Sequence, residues 1–155
     1  MSTFLEASID KFTFRVATDR LYTADGLWVQ PLGEPQDGTM RVRVGLSDYL
    51  QQHSGDAAFV RVTPVDTVLV VNADLAELET VKVNLALPSP FAGKIVAANA
   101  ALDTSPEVVN QDPYGAGWLA EVAVPGWEAA RKELLEPAAW FEKMKHLAEA
   151  EIAQP

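Results

Sequence analysis

The sequence predicts a mainly β domain finished by helices, and three observations carry that prediction. Short apolar or alternating stretches recur between residues 12 and 124, bounded by glycine, proline, asparagine or aspartate. Beyond residue 127 the apolar spacing changes from two to three and four. No run approaches the roughly 18 uninterrupted apolar residues of a membrane-spanning helix.

Element by element, Phe12-Thr13-Phe14-Arg15-Val16 alternates weakly, Leu27-Trp28-Val29 is a short apolar run, and residues 39–44 alternate clearly as a half-buried strand. Residues 31–38, rich in proline and glycine, form the turn between the last two. Ser47 caps a short helix over residues 48–53, which Gly55 ends. Strands follow over 58–62, 67–71, 94–98 and 117–124, and residues 75–87 read as one unbroken strand. In the tail, Ala129, Ala130, Leu134 and Leu135, then Trp140, Met144, Leu147 and Ala148, predict two helices separated at Pro137 and packed over the β core. The chain divides into an N-terminal extension (1–11), a β domain (12–126) and a C-terminal helical segment (127–155).

At 155 residues with 48% hydrophobic content, one domain with a sizeable core is expected. The first eleven residues lack a basic start leading into an apolar stretch, so a soluble cytoplasmic protein is expected. Twelve basic against 22 acidic side chains give a net charge of −10, which opposes nucleic acid and anionic membrane surfaces as partners. The same charge serves either solubility or steering toward basic docking faces.

The chain has no cysteine, which excludes a disulfide framework, a thiolate nucleophile and a thiolate metal site. Two isolated histidines give no metal-binding spacing, and neither a phosphate loop nor a nucleophile elbow occurs. A non-catalytic role is expected. Lys82 is the chemically distinctive residue, because it sits without charged neighbours in Thr80-Val81-Lys82-Val83-Asn84.

The segment Glu79-Thr80-Val81-Lys82-Val83 resembles the Glu-Ser-Val-Lys-Ala segment of the glycine cleavage H-protein family. The likeness continues downstream through Ser89-Pro90-Phe91-Ala92-Gly93-Lys94-Ile95-Val96, Asn99, and Val109-Asn110-Gln111-Asp112-Pro113-Tyr114-Gly115-Ala116-Gly117-Trp118. Upstream it includes Val44-Gly45-Leu46-Ser47-Asp48 and Gly55-Asp56. The resemblance runs from about residue 28 to residue 135.

It implies a lipoyl/biotinyl-like β-sandwich (barrel-sandwich hybrid), with lipoic acid in amide linkage to Lys82 at the tip of a tight hairpin. Glu79, Thr80, Val81 and Val83 would be read by the lipoate ligase or lipoyl transferase. The partners implied are glycine decarboxylase, aminomethyltransferase and dihydrolipoamide dehydrogenase, between which the arm carries an aminomethyl group. A cationic cargo calls for carboxylates around it. Where the family has Ser-His-Glu-Trp this chain has Asp25-Gly26-Leu27-Trp28, so Leu27 replaces a glutamate; Ala86 replaces an aspartate. His53, Asp25, Leu27 and Ala86 are the expected arm-pocket positions. His53 has two readings, a hydrogen-bond partner for the arm or a helix-end residue meeting terminal carbonyls.

The loss of two acids favours an alternative cargo, sulfur intermediates, as in the H-like lipoate-binding proteins that serve sulfur-oxidising heterodisulfide-reductase-like complexes. A third reading is an unmodified binding module on the same fold.

Overall fold

The alternating segments assemble into three antiparallel sheets in the computed structural model, which describes residues 3–153. Strands β1 (Phe4–Ile9) and β2 (Phe12–Ala17) form a hairpin through Asp10 and Lys11, with Asp10 at φ 56°. The largest sheet has six strands. In spatial order they are β3 (Leu21–Tyr22), β4 (Leu27–Pro31), β5 (Met40–Leu46), β11 (Ala120–Val124), β10 (Gly93–Ala98) and β7 (Val68–Leu69). The third sheet is β6 (Ala57–Val62), β8 (Asp74–Thr80) and β9 (Asn84–Pro88), with β8 central. The sheets are not closed into a barrel.

Period-two patterning sets which face each strand buries. On β5, Met40, Val42 and Val44 point inward and join Leu27, Val29, Leu75, Leu78, Ile95, Val122 and Val124 in the main core. Each fully buried side chain of this size contributes about 1.5–3 kcal/mol. A second cluster unites Phe14, Val16, Tyr22, Trp28, Tyr49, Trp140 and Met144, joining the N-terminal hairpin to the C-terminal helix. Gly45 makes that junction sterically feasible, because a Cβ there would lie 2.4 Å from the Trp28 ring.

Glu121 is a buried charge on β11 with its partners supplied across the β5 ladder. Its two oxygens accept from Arg41 Nε at 2.8 Å and Arg43 Nη2 at 2.6 Å. Burial pushes the carboxyl upward, but the hydrogen bonds from Arg43 and Arg41 outweigh it and hold it below the ordinary value of 4.5. A carboxylate depressed in the folded state contributes stability above its unfolded pKa, and that contribution disappears as pH falls through the folded value. Glu121→Gln is expected to cost about 2 kcal/mol at neutral pH. Denaturant titrations at stepwise lower pH should show the gap between variant and wild type narrowing below pH 4.5.

Several elements differ from the sequence expectation. Residues 4–9, assigned to an extension, are a strand of the first hairpin. The strand expected over 67–71 shrinks to Val68–Leu69, because reversals at Asp66 (φ 77°) and Asn72 (φ 71°) close in on both sides and leave Val68, Val70 and Val71 exposed. The strand expected over 75–87 is broken into β8 and β9. In the tail, the first expected helix is a single turn, α3 (Trp127–Ala130), followed by a 3-10 turn at Arg131–Glu133. Leu135 is drawn out of helical spacing by reciprocal backbone bonds with Tyr22, at 2.7 and 2.9 Å. Helix α4 (Pro137–Ala153) begins at the proline and buries Trp140, Met144 and Ala148, while Leu147 faces outward.

Candidate functional site

Helix α1 (Asp48–Ser54) and the β8–β9 hairpin meet at one end of the domain. Ser47 Oγ caps α1 by accepting from Leu50 N at 3.2 Å, and Gly55 ends it at φ 90°. Asn110, in the short helix α2 (Val108–Gln111), ties the following loop down. Its Oδ1 accepts from Ala57 N at 2.9 Å, and its Nδ2 donates to Gly55 O at 2.9 Å and Gln51 Oε1 at 3.1 Å.

The hairpin reverses at Val81-Lys82, and the device that reverses it is Thr80. Its hydroxyl accepts from Lys82 N at 3.1 Å and Val83 N at 3.0 Å, and donates to Ser54 O at 2.7 Å. Thr80 N donates to Val83 O at 2.8 Å. No glycine and no left-handed backbone is used at the tip. A single hydroxyl therefore replaces the usual turn residues and also anchors the hairpin to the end of α1. Thr80→Val removes three partners at a stroke and is expected to destabilise the fold by about 1–3 kcal/mol. Local hydrogen exchange of the Lys82 and Val83 amides should speed up more than exchange in the core.

This arrangement leaves Lys82 exposed, with Val81 beside it 84% exposed. An apolar side chain so fully presented at a tip is available for recognition. Of the expected enzyme-read residues, Glu79, Val81 and Val83 are exposed, whereas Thr80 is buried and shapes the turn instead. Lys82 Nζ donates to the His53 carbonyl at 3.2 Å. Gly55 leaves room for this path, since a Cβ there would come within 3.1 Å of Lys82 Cδ.

Beside the lysine lies a groove of about 320 Å³, whose walls include Phe12, Tyr49, His53, Glu151 and Ile152. The His53 ring stacks on Tyr49, with centroids 5.6 Å apart, and its Nδ1 lies 2.8 Å from Glu151 Oε2. Burial, reinforced by the nearby Glu151 charge, pushes the Tyr49 hydroxyl up to about 12, so it stays protonated at neutral pH.

The four expected arm-pocket positions do not come together. His53 lines the groove with Lys82. Leu27 does not: it is fully buried in the main core, because its β4 position points between the sheets. Asp25 sits exposed in the β3–β4 turn and lines none of the depressions described. Ala86 faces outward on β9, in a separate depression of about 290 Å³ beside Phe59, Arg61 and Glu77. Sequence reasoning missed Phe12, Tyr49, Glu151 and Ile152, which converge from three distant segments. Trp118 is only partly buried and lies under the Arg43 guanidinium at 4.5 Å.

Among the described residues no group of three or more histidine, aspartate or glutamate side chains is arranged to hold a metal ion. No helix there is long and apolar enough to cross a membrane.

An exposed lysine on a rigid hairpin tip of a β-rich scaffold defines a class of protein, the carriers that present a covalently attached swinging arm. Residues 20–147 match the family described as Glycine cleavage H-protein, and the chain belongs to that family. It is 36% identical over 118 residues to the glycine cleavage system H protein of Mycobacterium bovis, covering 76% of this chain and 84% of the relative. Similarity to the corresponding protein of Mycolicibacterium gilvum is 37% over 123 residues, covering 78% and 90%. The crystal structure of a glycine cleavage system H protein from Mycobacterium marinum superposes with a TM-score of 0.66 at 34% identity, covering 84% of this chain and 98% of that one. Proteins of this family are non-catalytic carrier subunits with a lipoyl group attached covalently to a lysine.

Proposed function

We propose that this chain carries its lipoyl group on Lys82 and works in glycine cleavage in the cytoplasm, between a glycine decarboxylase, an aminomethyltransferase and a dihydrolipoamide dehydrogenase. The observation that carries the reading is the exposed amine at the Thr80-pinned hairpin tip. The site's residues fit the group. The amine is accessible to a lipoate ligase or lipoyl transferase, Glu79, Val81 and Val83 flank it as a recognition surface, and an open groove lies beside it. When bound, the lipoyl group supplies a dithiolane that can be opened and reclosed, chemistry that a chain without cysteine lacks.

The protein's own part is to hold and orient. Thr80 fixes the backbone on either side of the lysine, and Asn110 fixes the loop under it. The His53 carbonyl accepts from Nζ and directs it toward the groove.

The alternative sulfur cargo rested on the absence of acids at positions 27 and 86. Neither residue lines the groove beside Lys82, whereas Glu151 does, so the polarity of that groove does not favour the alternative. Incubating the lipoylated protein with glycine and a glycine decarboxylase tests the reading. Glycine-dependent exposure of arm thiols is the expected result. A lipoylated protein that stays unreactive with glycine, yet accepts sulfur from a sulfur-oxidising complex, would overturn it.

A further inference from the structure

Strand β6 is paired on one side only. It is an outer strand of the three-stranded sheet, with β8 as its neighbour. The phase of that ladder is fixed where Thr63 N donates to Leu75 O at 3.0 Å. Backbone groups alternate in direction along an antiparallel strand, so Phe59 and Arg61 also turn theirs toward β8, and Val60 and Val62 turn theirs away. Among the described residues no acceptor outside the sheet meets either valine N–H. Both valines line a groove of about 470 Å³, whose opposite wall is Ala98, the 3-10 turn Ala100–Asp103 and Pro106. An unpaired row of backbone groups inside a ready-made groove is the chemistry that recognises an extended chain.

We infer that this groove docks a basic, extended segment of an enzyme that works on the arm, seated as an added strand on β6. That the partner serves the arm rests on the Lys82 attachment proposed above. The recess selects a single strand over a second copy of this chain. Val60 is buried and the 3-10 turn packs beside β6, so the strand edge is the wall of a groove and not an open rim. The register also slips between Ala57 and Phe59, which suits a short segment and discourages the pairing of whole sheets. Charge selects a basic segment. Asp103 in the groove and Glu79 on the adjoining sheet face have no ion-pair partner among the described residues, whereas Arg61, the one cation lining either depression, lies 3.7 Å from Glu77.

The surface is continuous with the anchor of the arm. Phe59, 66% exposed, and Arg61 line both this groove and the depression on the outer face of the same sheet, which reaches Glu79 and Asn84 on either side of the Lys82 turn. A segment seated on β6 holds a partner at the sheet that carries the lysine and leaves the tip itself free. Such a tether raises the partner's local concentration around the arm.

A phage-displayed library of random linear peptides, panned on the intact lipoylated protein, tests the inference. The enriched peptides are expected to be basic with alternating apolar residues, and to slow hydrogen exchange at the Val60 and Val62 amides. Fluorescence anisotropy with one of these peptides should show binding weakened about tenfold by Ala100→Trp, which places bulk in the groove at an exposed position. A backbone N-methyl at alternate peptide positions should cost about tenfold for each hydrogen bond lost, with no effect at the positions between. If Ala100→Trp lowers the thermal transition, Phe59→Ser, at another exposed position, makes the same comparison. Both variants are expected to be lipoylated as the wild type is. No enrichment, binding indifferent to both variants, or protection confined to other amides would overturn the docking site while leaving attachment at Lys82 standing. A dimer in sedimentation that Ala100→Trp dissociates would overturn it in favour of a second copy of the chain.

Discussion

Lys82→Arg is expected to abolish lipoylation while leaving stability within about 0.5 kcal/mol of wild type. The two halves of that expectation have separate causes. Lys82 is exposed, and the hydrogen bond its side chain makes to the His53 carbonyl is available to a guanidinium as well. The turn does not depend on the side chain, because Thr80 holds the backbone N–H groups of Lys82 and Val83. Arginine keeps the charge but has no amine to acylate, since its guanidinium stays protonated at any accessible pH. Incubation with a lipoate ligase, lipoate and ATP should add mass to the wild type and none to the variant, and thermal melts of the two apoproteins should superimpose. A variant that failed to fold would mean that Lys82 is structural.

Trp140→Ala is expected to have the largest effect on stability, about 3–5 kcal/mol. Trp140 is fully buried, stacks on Tyr22 at 5.8 Å and meets Tyr49 edge-on at 6.2 Å. Its indole N–H has no hydrogen-bond partner among the described residues, so the loss comes from packing and from the cavity left behind. The indole also touches the position a Cβ would take at Gly26, at 3.3 Å, so one side chain ties α4 to the β3–β4 turn. At roughly 2–4 °C per kcal/mol for a chain of this size, the melting temperature should fall by about 10 °C. Met144→Ala, one turn along the same face, is expected to cost less, about 2–4 kcal/mol. Calorimetry of the three proteins gives the ranking. A Trp140 variant as stable as wild type would contradict the assignment of α4 to the second core cluster.

What the sequence shows of this molecule is what depends on local chemistry. The alternation of residues 39–44, the Ser47 cap with Gly55 at the other end of α1, and the start of α4 at Pro137 are set by neighbours within a turn or a strand. The Lys82 neighbourhood was legible for another reason, since its likeness to a family is a matter of residue order.

The reversal at Lys82 was hidden because it uses neither glycine nor positive φ. A threonine two residues before the tip is the only local signal, and it needs the Ser54 carbonyl, 26 residues away, to complete it. The short β7 was overread because Val68, Val70 and Val71 look like a buried strand, whereas they lie at the open edge of a sheet. Leu27 lies in the main core and not beside Lys82, because matching a position to a family glutamate says nothing of which way a strand faces. The groove was not legible at all. Phe12, His53, Lys82 and Glu151 share no spacing, and only the docking of α4 against the first hairpin brings them together.

The central claim is that Lys82, among the six lysines of the chain, is where the arm is attached. Proteolytic peptide mapping by mass spectrometry, after lipoylation of the intact protein, tests it most directly. The account predicts one lipoyl increment per chain, confined to the peptide that contains Lys82. An increment on Lys94 or any other lysine, or none after exhaustive incubation with ligase, would contradict it.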